Sequence, residues 1–582
     1  MLPRRAGDPH EAGRASPPRG SGLLLRALHV FIRGGPGAFL RRARRFVVKK
    51  IEARVPIEEA LRRPLERERD HPADLRRLLA AASALSDPPR FDVVLVDRKG
   101  VPLSGEWREG IERSIAGCPS AALARETLRE DAGGDALGRL LRSLTSEAVF
   151  LVRAGDSLRP GAIARAALAF REHPSASLLY GDEEVPLAGT SRTIPLFKPG
   201  WSPDLFRSSF FTGWPVIVRR VDAVDAAERL AGRGASALYE LLLRLHEGPG
   251  AVVRLAAILG VRAEPPEVDF HEEVDRAMRG ALAAWARERV PGAAVEKGRI
   301  PGSWRLRRPP SGRRTVSVII PTRDGGRWLE RGIPGVRKEH PLEILLADNG
   351  SRDPATLRLF ASLEREGAAR VLPFPGRFNF SFMMNEAARA ARGEFLLFLN
   401  DDTEVLEAGS IAAMAEEADR PEIGAVGAQL LYPNGTIQHA GLVVGMGVVA
   451  GHLCKGMCAK GAPFFVSPLL PREVSAVDGA CFLVRKRTFF DLGGFDAERL
   501  AVSFGDVDFC LRARAKGLRI LYTPHAVFLH HETQSRRPDL DEREVAWMER
   551  RWGESLIEDP FYHPGLSLLD EVPRPRGWRR VR

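Results

Sequence analysis

Three features of the sequence predict an α/β fold with two tandem Rossmann-like units. Short, wholly apolar runs such as Phe395–Leu399 are typical of strands buried on both faces of a parallel sheet. Several of these runs end abruptly in acidic or amide residues, at the sheet edge where open α/β sheets bind ligands. The order strand, helix, strand with an acidic turn, helix occurs over 91–263 and again over 315–533. This recurrence predicts an internal repeat of a whole domain.

Composition narrows the classes of function. The chain has 582 residues, enough for about two to four domains. Lys and Arg outnumber Asp and Glu by 87 to 75, and the net charge of +12 suits nucleic acid, a membrane surface or anionic substrates. We predict no nucleic-acid partner, because neither zinc-finger spacing nor an RNP-like aromatic run occurs.

The cysteines and the hydropathy pattern indicate a cytoplasmic protein. The five cysteines are too few and too scattered for a disulfide framework. Cys454 and Cys458 are close in sequence, but a zinc site would need two further ligands and only His452 is an obvious neighbour. The sequence has no cleavable signal pattern and no apolar run of about eighteen residues.

The N-terminal part is rich in basic residues. We expect residues 1–22 to be disordered and residues 23–90 to form a basic, amphipathic helical segment. Within Ala38–Ile51 the apolar side chains fall near one helical face, and Arg and Lys occupy much of the rest. Such a helix can lie on an anionic bilayer, here the inner face of the plasma membrane. The alternative is a helix that docks on its own domain with a solvated charged face.

The first unit, 91–263, begins with a predicted strand at Phe91–Asp97 and a predicted helix at Trp107–Ala116. A second buried strand, Ala148–Val152, is followed by a helix that runs through Phe170 and a strand at Ser177–Tyr180. This order matches the start of the second unit. We therefore expect both units to share one fold.

The acidic turn of the first unit, Arg153–Asp156, retains a single carboxylate, Asp156. Arg153 places a fixed positive charge where a metal ligand would lie, so this unit is expected to be structural or acceptor-binding. Asp182, Glu183 and Glu184 could supply another acidic site, but we expect them in a solvated loop.

A connector, 264–314, joins the two units. Val268–Val290 is rich in Ala, Arg and Glu and predicts a helix that ends at Pro291. Pro301–Arg314 is rich in Pro and Arg and is predicted to be an exposed linker. Residues 534–582, after the second unit, are predicted to form a C-terminal helix and tail.

Three predicted strands of the second unit are each followed by candidate site residues. Val316–Ile320 leads into Pro321 and Thr322, and Leu342–Ala347 leads into Asp348. Asp348 can accept hydrogen bonds from a nucleobase or a ribose hydroxyl, while Gly350 and Ser351 let a diphosphate approach the backbone. The Asn-Gly pair in this segment is also an ordinary turn signal, so a simple turn is the alternative.

The third of these strands, Phe395–Leu399, ends in Asn400, Asp401 and Asp402. Two or three oxygen ligands at this edge suit a hard divalent cation that also holds phosphate oxygens. The alternative is that Asp402 or Thr403 only caps a helix at 408–418.

Two further segments carry candidate site residues. Arg377–Asn385 mixes amide and hydroxyl groups with aromatic residues, so it either recognises a sugar nucleotide or packs the helix that begins near Ser381. Asp506 lies near the start of a predicted helix, where the helix N-terminus keeps a carboxylate ionised. An ionised carboxylate can take a proton from an attacking hydroxyl, and an ordinary N-cap is the alternative.

A predicted strand near the end of the second unit delivers two adjacent imidazoles, His530 and His531. Neutral histidine is a competent ligand for Mn²⁺-like ions, so one of them can join Asp402 on a metal. Adjacent strand residues face opposite ways, and at most one of the two is expected to reach the site.

These segments together resemble family-2 glycosyltransferases of the GT-A fold, close to bacterial two-domain enzymes of O-antigen or rhamnan synthesis. The resemblance covers most of residues 91–570. The motifs that carry it are Val318–Asp324, Ala347–Ser351, Phe378–Ser381, Leu399–Glu404, Gln438–Gly441, Val477–Ala480, Gly505–Leu511, His530–Glu532, Phe197–Asp204 and Asp559–Pro564. The fold class is then two tandem GT-A-like domains, of which the first is degenerate.

The resemblance implies a metal-dependent, inverting transfer of sugar from a nucleotide-sugar donor to a glycan or lipid-linked oligosaccharide. Asp506 would be the general base, and Asp402 would ligate Mg²⁺ or Mn²⁺ together with Asn400 and either His530 or His531. The donor is expected to be dTDP- or UDP-linked. The substrate-binding residues would be Pro321, Thr322, Asp348, Ser351, Asn379, Asn385, Asp401, Asp478 and Gly479.

Two departures from the family pattern keep other functions open. Asn400 replaces the first acid of the Asp-x-Asp motif, and Gly505 replaces the acid that commonly precedes the base. If these changes reflect decay, the chain is a non-catalytic scaffold or acceptor-binding protein of a polysaccharide assembly complex. The third hypothesis is a bifunctional enzyme in which the first unit also transfers sugar.

Overall fold

A computed structural model describes residues 72–97, parts of 109–129, 131–186, 193–234, 237–248, 250–264, 272–459, 467–532, 541–569 and 571–575. The predictions for residues 1–71 lie outside this part of the chain, as does most of the helix predicted at 107–116. Within the described residues, no helix combines the length and apolarity needed to cross a membrane.

The first sheet lies in the N-terminal half. Its strands are β1 (Phe91–Asp97), β2 (Ala121–Leu123), β3 (Leu128–Arg129), β4 (Ala148–Arg153), β5 (Ser157–Leu158), β6 (Ala176–Pro186), β7 (Thr193–Leu196), β8 (Val216–Arg219) and β9 (Ala251–Val261). They lie in the order β2-β1-β4-β8-β6-β9-β5, with β3 beside β1 and β7 beside β6. Strands β1, β2 and β4 are parallel, and β8 runs antiparallel between β4 and β6.

The second sheet follows the connector. Its strands are β12 (Val316–Thr322), β13 (Glu343–Asp348), β14 (Arg370–Pro373), β15 (Phe395–Leu399), β16 (Thr403–Val405), β17 (Ile423–Leu431), β18 (Ile437–His439), β21 (Arg472–Glu473), β22 (Cys481–Arg485) and β23 (Arg519–His530). Their order is β14-β13-β12-β15-β22-β17-β23-β16, with β18 beside β17 and β21 beside β23. Two hairpins complete the strands: β10 (Ala294–Lys297) with β11 (Trp304–Arg307), and β19 (Leu442–Val444) with β20 (Ala450–His452).

Most of the helices bury apolar residues in the cores. The helices are α1 (Pro72–Ser83), α2 (Gly134–Ser143), α3 (Ala162–Glu172), α4 (Pro203–Ser208), α5 (Arg220–Glu228), α6 (Ala237–Leu245), α7 (Glu272–Arg289), α8 (Gly326–Lys338), α9 (Pro354–Arg365), α10 (Phe380–Ala390), α11 (Ser410–Ala418), α12 (Lys486–Asp491), α13 (Gly505–Ala515) and α14 (Glu542–Trp552).

The strand orders show that the two halves are copies of one fold. The order β2-β1-β4-β8-β6-β9-β5 matches β13-β12-β15-β22-β17-β23-β16 strand for strand, with the same directions at the central pairs. Both sheets place an antiparallel strand, β8 or β22, beside the strand that ends in the acidic turn. The predicted fold class, two tandem α/β units, is confirmed.

The connector differs in part from its prediction. Helix α7 and the turn after it agree with the sequence, but the segment predicted as an exposed linker includes β11 and is anchored. Trp304 is buried in the first core, and Arg307 pairs with Glu416 of α11 at 3.0 Å. Arg307 is still 46% exposed, but Arg308 and Arg314 are 11% and 17% exposed because Glu417 and Asp419 of the second unit pair with them.

The acidic group of the first unit was also predicted wrongly. Asp182, Glu183 and Glu184 lie on β6 rather than in a solvated loop, and each is at most 1% exposed. The ammonium group of Lys198, itself fully buried, pairs with Glu183, and Nε2 of His563 lies 2.8 Å from Oδ2 of Asp182. The compensating charges come from distant parts of the chain, which a local sequence pattern does not reveal.

The C-terminal tail contacts both units. Oδ2 of Asp559 accepts a hydrogen bond from the backbone of Val444 in the second unit, at 2.8 Å. Four residues on, the ring of His563 stacks on Phe197 of the first unit, with centroids 4.6 Å apart. A Cβ on Gly200 would lie 1.9 Å from the carbonyl oxygen of Pro560, so the close approach of tail and first unit requires glycine there.

Asp204, at the start of α4, forms the centre of an ionic cluster between the units. Its carboxylate lies 2.8 Å from Arg420 and also pairs with Arg519, both in the second unit. Burial alone would raise the pKa of Asp204, but these arginines hold it well below its ordinary value. One buried carboxylate thus balances several guanidinium groups that would otherwise repel one another.

We expect Asp204→Asn to lower the free energy of unfolding by about 3–5 kcal/mol, because it leaves buried arginines without their counter-charge. Denaturant unfolding of the full chain measures the change. The matched control is Asp131→Asn, which removes an exposed pair with Arg129 and should leave stability unchanged. A loss below about 1 kcal/mol for Asp204→Asn would contradict the role assigned to the cluster.

Candidate active site

The edge of the second sheet brings Asp402 against His530. Strand β15 is wholly buried and ends at Leu399, and β16 then pairs antiparallel with β23 so that Thr403 lies opposite His530. As a result, Nε2 of His530 lies 3.2 Å from Oδ1 of Asp402, and both side chains are less than 10% exposed. Burial alone would lower the pKa of His530, but the Asp402 carboxylate raises it above its ordinary value.

His531 faces the other way. Its Nε2 lies 2.6 Å from Oε1 of Glu404, and its ring lies 4.6 Å from that of Trp328. Of the two histidines predicted as alternative ligands, the structure therefore places His530 beside Asp402 and directs His531 away. The reason is the alternation of side chains along an extended strand.

The donor side of the edge is built from the ends of β12 and β13. Thr322 and Asp348 are register partners, and the Thr322 hydroxyl donates to Oδ2 of Asp401 at 2.8 Å. A Cβ on Gly325 would lie 2.2 Å from the same oxygen, so the backbone here closes tightly over Asp401. Pro321 precedes Thr322 on the same strand end.

Asp348 is buried and organises the turn that follows it. Its carboxylate accepts hydrogen bonds from the backbone N–H of Ser351 at 2.9 Å and from the Ser351 hydroxyl at 2.5 Å. The backbone N–H of Asp324 in turn donates to the Ser351 hydroxyl at 2.8 Å. Two loops predicted to face the donor are thereby held together through Ser351.

Asp506 lies at the first turn of α13 and faces Gly479. Its Oδ2 accepts a hydrogen bond from the Gly479 backbone at 2.7 Å. Burial, and after it the negative charge of Asp478, raise the pKa of Asp506 to about 6, although the N–H groups of Gly479 and Val507 oppose the shift. The helix N-terminus was expected to dominate; burial outweighs it, and the carboxylate is still mostly ionised at pH 7.

A chain of contacts links these residues along one edge. Asp348 lies opposite Thr322 on the neighbouring strand, the Thr322 hydroxyl bonds to Asp401, and the backbone of Asn400 donates to the carbonyl of Ala480 at 3.0 Å. Ala480 follows Asp478 and Gly479, and the backbone N–H of Gly479 donates to Asp506. The carboxylates therefore line one continuous edge.

Two predicted substrate-binding residues have structural partners instead. Asn379 caps α10, where its Oδ1 accepts from Phe382 at 2.8 Å and its Nδ2 donates to Ala497. Asn385 exchanges two hydrogen bonds with the backbone of Phe495. The amide groups are engaged by the protein, which corresponds to the helix-packing alternative.

Two histidines that the sequence did not single out as site residues also reach this edge. His439 ends β18, His452 ends β20, and their Nδ1 atoms are 3.2 Å apart. Oδ2 of Asp478 lies 3.9 Å from Nε2 of His452. Burial lowers the pKa of His439 to about 3, so this imidazole is neutral. The sequence signal for one of them was Gly441, two residues after His439, which has a φ of 102° and marks a turn.

A family model described as glycosyl transferase family 2 matches residues 317–487. The second unit is therefore a glycosyltransferase domain. It belongs to family 2, as its motifs indicate.

The curated relatives include proteins named for O-antigen biosynthesis and for rhamnosyl transfer. O-antigen biosynthesis protein RfbC of Myxococcus xanthus is 35% identical over 439 residues, 71% of this chain and 33% of that protein. Uncharacterized protein y4gI of Sinorhizobium fredii is 34% identical over 443 residues, 71% of this chain and 48% of that protein. N-acetylglucosaminyl-diphospho-decaprenol L-rhamnosyltransferase of Mycobacterium tuberculosis is 29% identical over 248 residues, 38% of this chain and 77% of that protein. The chain thus spans about half and about a third of the two longer relatives.

Solved structures overlap with the chain only in part. GalNAc-T7 with UDP, GalNAc and Mn²⁺ is 18% identical with a TM-score of 0.33, covering 40% of this chain and 45% of that one. Mannosyltransferase PcManGT from Pyrobaculum calidifontis with GDP-Man and Mn²⁺ is 17% identical with a TM-score of 0.29, covering 44% and 66%.

The raised pKa of Asp506 predicts an acid limb in the pH dependence of sugar transfer. Below pH 6 the rate should fall about tenfold per pH unit, because the carboxylate gains a proton and no longer accepts one. Asp478→Asn should move this limb to lower pH, because it removes the neighbouring negative charge. A rate that stays level down to pH 5, or a limb unmoved in the variant, would contradict the assignment.

Proposed function

We propose that the second unit catalyses inverting transfer of a sugar from a nucleotide-sugar donor to a glycan or lipid-linked glycan acceptor. The observation that carries this proposal is the single edge that holds the buried Asp402–His530 pair and the basic carboxylate Asp506. The reaction needs a centre that holds the anionic diphosphate, here through a cation, and a base that takes the proton of the acceptor hydroxyl. This edge supplies residues of both kinds.

The residues at the Asp402 end suit a divalent cation, Mg²⁺ or Mn²⁺. Asp402, His530 and Asn400 offer a carboxylate, an imidazole and an amide oxygen, a donor set that Mn²⁺ accepts. Among the described residues, the buried Nδ1 of His530 has no hydrogen-bond partner, so rotation of the ring is not opposed by a second anchor. When bound, such a cation neutralises the charge that develops on the leaving diphosphate.

The donor nucleotide would lie across the ends of β12 and β13. The Asp348 carboxylate would accept hydrogen bonds from base or ribose, and Ser351, Pro321 and Thr322 would shape the floor beneath them. Asp401, fixed by Thr322, would position Asp402 rather than contact substrate. Gly350 has a φ of 75°, and the turn it permits leaves room for a phosphate near the backbone.

Asp506 would act on the acceptor. The acceptor hydroxyl oxygen attacks the anomeric carbon and forms the new glycosidic bond, while the bond from that carbon to the diphosphate oxygen breaks. The hydroxyl proton passes to the Asp506 carboxylate, and the nucleoside diphosphate leaves with the bonding electron pair. Attack from the face opposite the leaving group inverts the anomeric configuration. Asp478 and Gly479 would border the acceptor beside this base.

The names of the relatives support a substrate class. One relative is named for O-antigen biosynthesis and another for rhamnosyl transfer to a diphospho-decaprenol-linked sugar. We infer a dTDP- or UDP-linked donor and a lipid-linked or growing glycan acceptor in cell-surface polysaccharide synthesis. Such an acceptor would place the protein at the inner face of the plasma membrane.

The first unit would not transfer sugar. In it, Ser157 pairs with Val261, as Thr403 pairs with His530 in the second unit, so an apolar residue occupies the histidine position. Asp156, the residue before Ser157, lies 3.5 Å from the guanidinium of Arg153. A cation would have to displace that arginine and would lack an imidazole ligand. This favours one active unit over the bifunctional alternative.

We expect Asp506→Asn to lower kcat about 10²–10⁴-fold with little change in donor KM, because it removes the general base but not the donor contacts. Transfer of labelled sugar to extracted lipid-linked acceptors measures the effect. Asp156→Asn is the control in the other unit and should retain transfer. Full activity of Asp506→Asn would overturn the base assignment. If Asp156→Asn no longer formed a second kind of glycosidic linkage that the wild type forms, the bifunctional alternative would be supported.

We expect Asp348→Ala to weaken binding of UDP or dTDP at least about tenfold, because a good hydrogen bond to a charged acceptor is lost. Isothermal titration calorimetry with Mn²⁺ present measures the affinity. The control is Asp353→Ala, which removes a carboxylate of the same loop that only caps α9. Equal nucleotide affinity in wild type and Asp348→Ala would refute the nucleoside contact.

A further inference from the structure

A second group of metal-ligating side chains lies beside the proposed catalytic edge. One ring nitrogen of His439, one of His452 and one carboxylate oxygen of Asp478 all lie within 4.8 Å of one another. The two facing Nδ1 atoms are 3.2 Å apart. Two ligands on one tetrahedral metal ion, each at about 2.0–2.1 Å, would be separated by roughly this distance.

The three residues lie on separate elements of the fold, so the cluster does not arise from neighbours in one short stretch of sequence. His439 ends β18, and His452 ends β20, where its backbone N–H donates to Glu571 at 3.0 Å. Asp478 is fixed by its own turn, since Oδ1 accepts from the backbone of Ala480 at 3.1 Å. This leaves Oδ2 directed towards His452.

The cluster is closed on one side and open on the other. His439 is fully buried, whereas the side chains of His452 and Asp478 are 19% and 21% exposed. Three protein ligands with one open side are the arrangement of a site that also binds water or a ligand, not of a closed structural site. Two imidazoles and one carboxylate favour Zn²⁺, Co²⁺ or Mn²⁺ over Mg²⁺.

We propose that His439, His452 and Asp478 bind a second divalent transition-metal ion, separate from the cation proposed at Asp402 and His530. The inference is independent of the sugar-transfer reaction, since it needs only these three ligands. Through Gly479, which follows Asp478 and donates to Asp506, the ion would lie next to the proposed base. An acceptor hydroxyl or phosphate is the ligand class that would fill its open side.

The competing arrangement is a pair of hydrogen-bonded histidines. In it, Nε2 of His439 accepts from the backbone of Gly441 and Nδ1 donates to His452. The Gly441 contact is 3.3 Å, longer than the about 2.7–3.2 Å of good N–H hydrogen bonds, so it does not secure the proton on Nδ1. A metal ion at Nδ1 would need the tautomer that carries the proton on Nε2, and the neutral imidazole reaches it by moving its proton between the two ring nitrogens, with no net release to the solvent.

The test is metal stoichiometry of the full chain after chelator treatment and reloading with Co²⁺, read by elemental analysis and by visible absorption. We expect two ions per wild-type chain, one in His452→Gln and one in Asp402→Asn, with different absorption spectra for the two remaining sites. Asp478→Asn serves as a second variant of the new site. His525→Gln is the matched control, because His525 is also half-buried but lies near arginines of the connector.

The outcomes separate the two proposals. Equal Co²⁺ content in wild type, His452→Gln and Asp478→Asn, with all variants folded as judged by thermal melting, would overturn the second site and leave the hydrogen-bonded pair. One ion that is lost in His452→Gln and kept in Asp402→Asn would support the second site and contradict the catalytic cation.

Discussion

The antiparallel pairing of β16 with β23 is the constraint on which the active edge depends. It sets Thr403 opposite His530 and so brings the preceding residue, Asp402, within 3.2 Å of the imidazole. A shift of one residue would present His531 instead and send its neighbour away from the edge. The register is secured because β23 also runs along β17 over most of its length, which leaves little freedom for slippage. The position of two side chains is thus fixed by a whole sheet.

The same constraint explains how the two units diverged without losing their common fold. The pairing of β5 with β9 repeats that of β16 with β23, yet it presents Val261 and an Arg153–Asp156 pair. Glu183 of β6 also forms a fully buried pair with Lys198, which follows β7. Charged groups that would bind a ligand in an open cleft here neutralise one another. His563 of the tail adds a partner for Asp182 of the same strand.

The sequence predicted the fold class and most strand ends, because apolar runs and acidic turns report local structure. It also placed Asp348, Asp402 and Asp506 on strand or helix ends that meet at one edge. It could not predict contacts between distant segments. The burial of Asp182 depends on His563, and the partners of Asn385 depend on the loop at Phe495. The pKa of Asp506 was expected to follow the helix N-terminus, but the decisive factor was burial, a property of the whole fold.

These contacts also indicate a structural role for the first unit. The ionic cluster of Asp204 and the tail contacts of Asp559 and His563 join the units across several elements that surround the active edge. Val444, bonded to Asp559, belongs to the hairpin that carries His452, and Glu473, bonded to Ser202 of the first unit, precedes the segment that carries Asp478. The first unit therefore supports the loops that border Asp506, the proposed base. Substitutions that weaken the contacts between the two units should disturb the region around Asp478 and Asp506 before the region around Asp348. The reason is that β12 and β13 make their contacts within the second sheet.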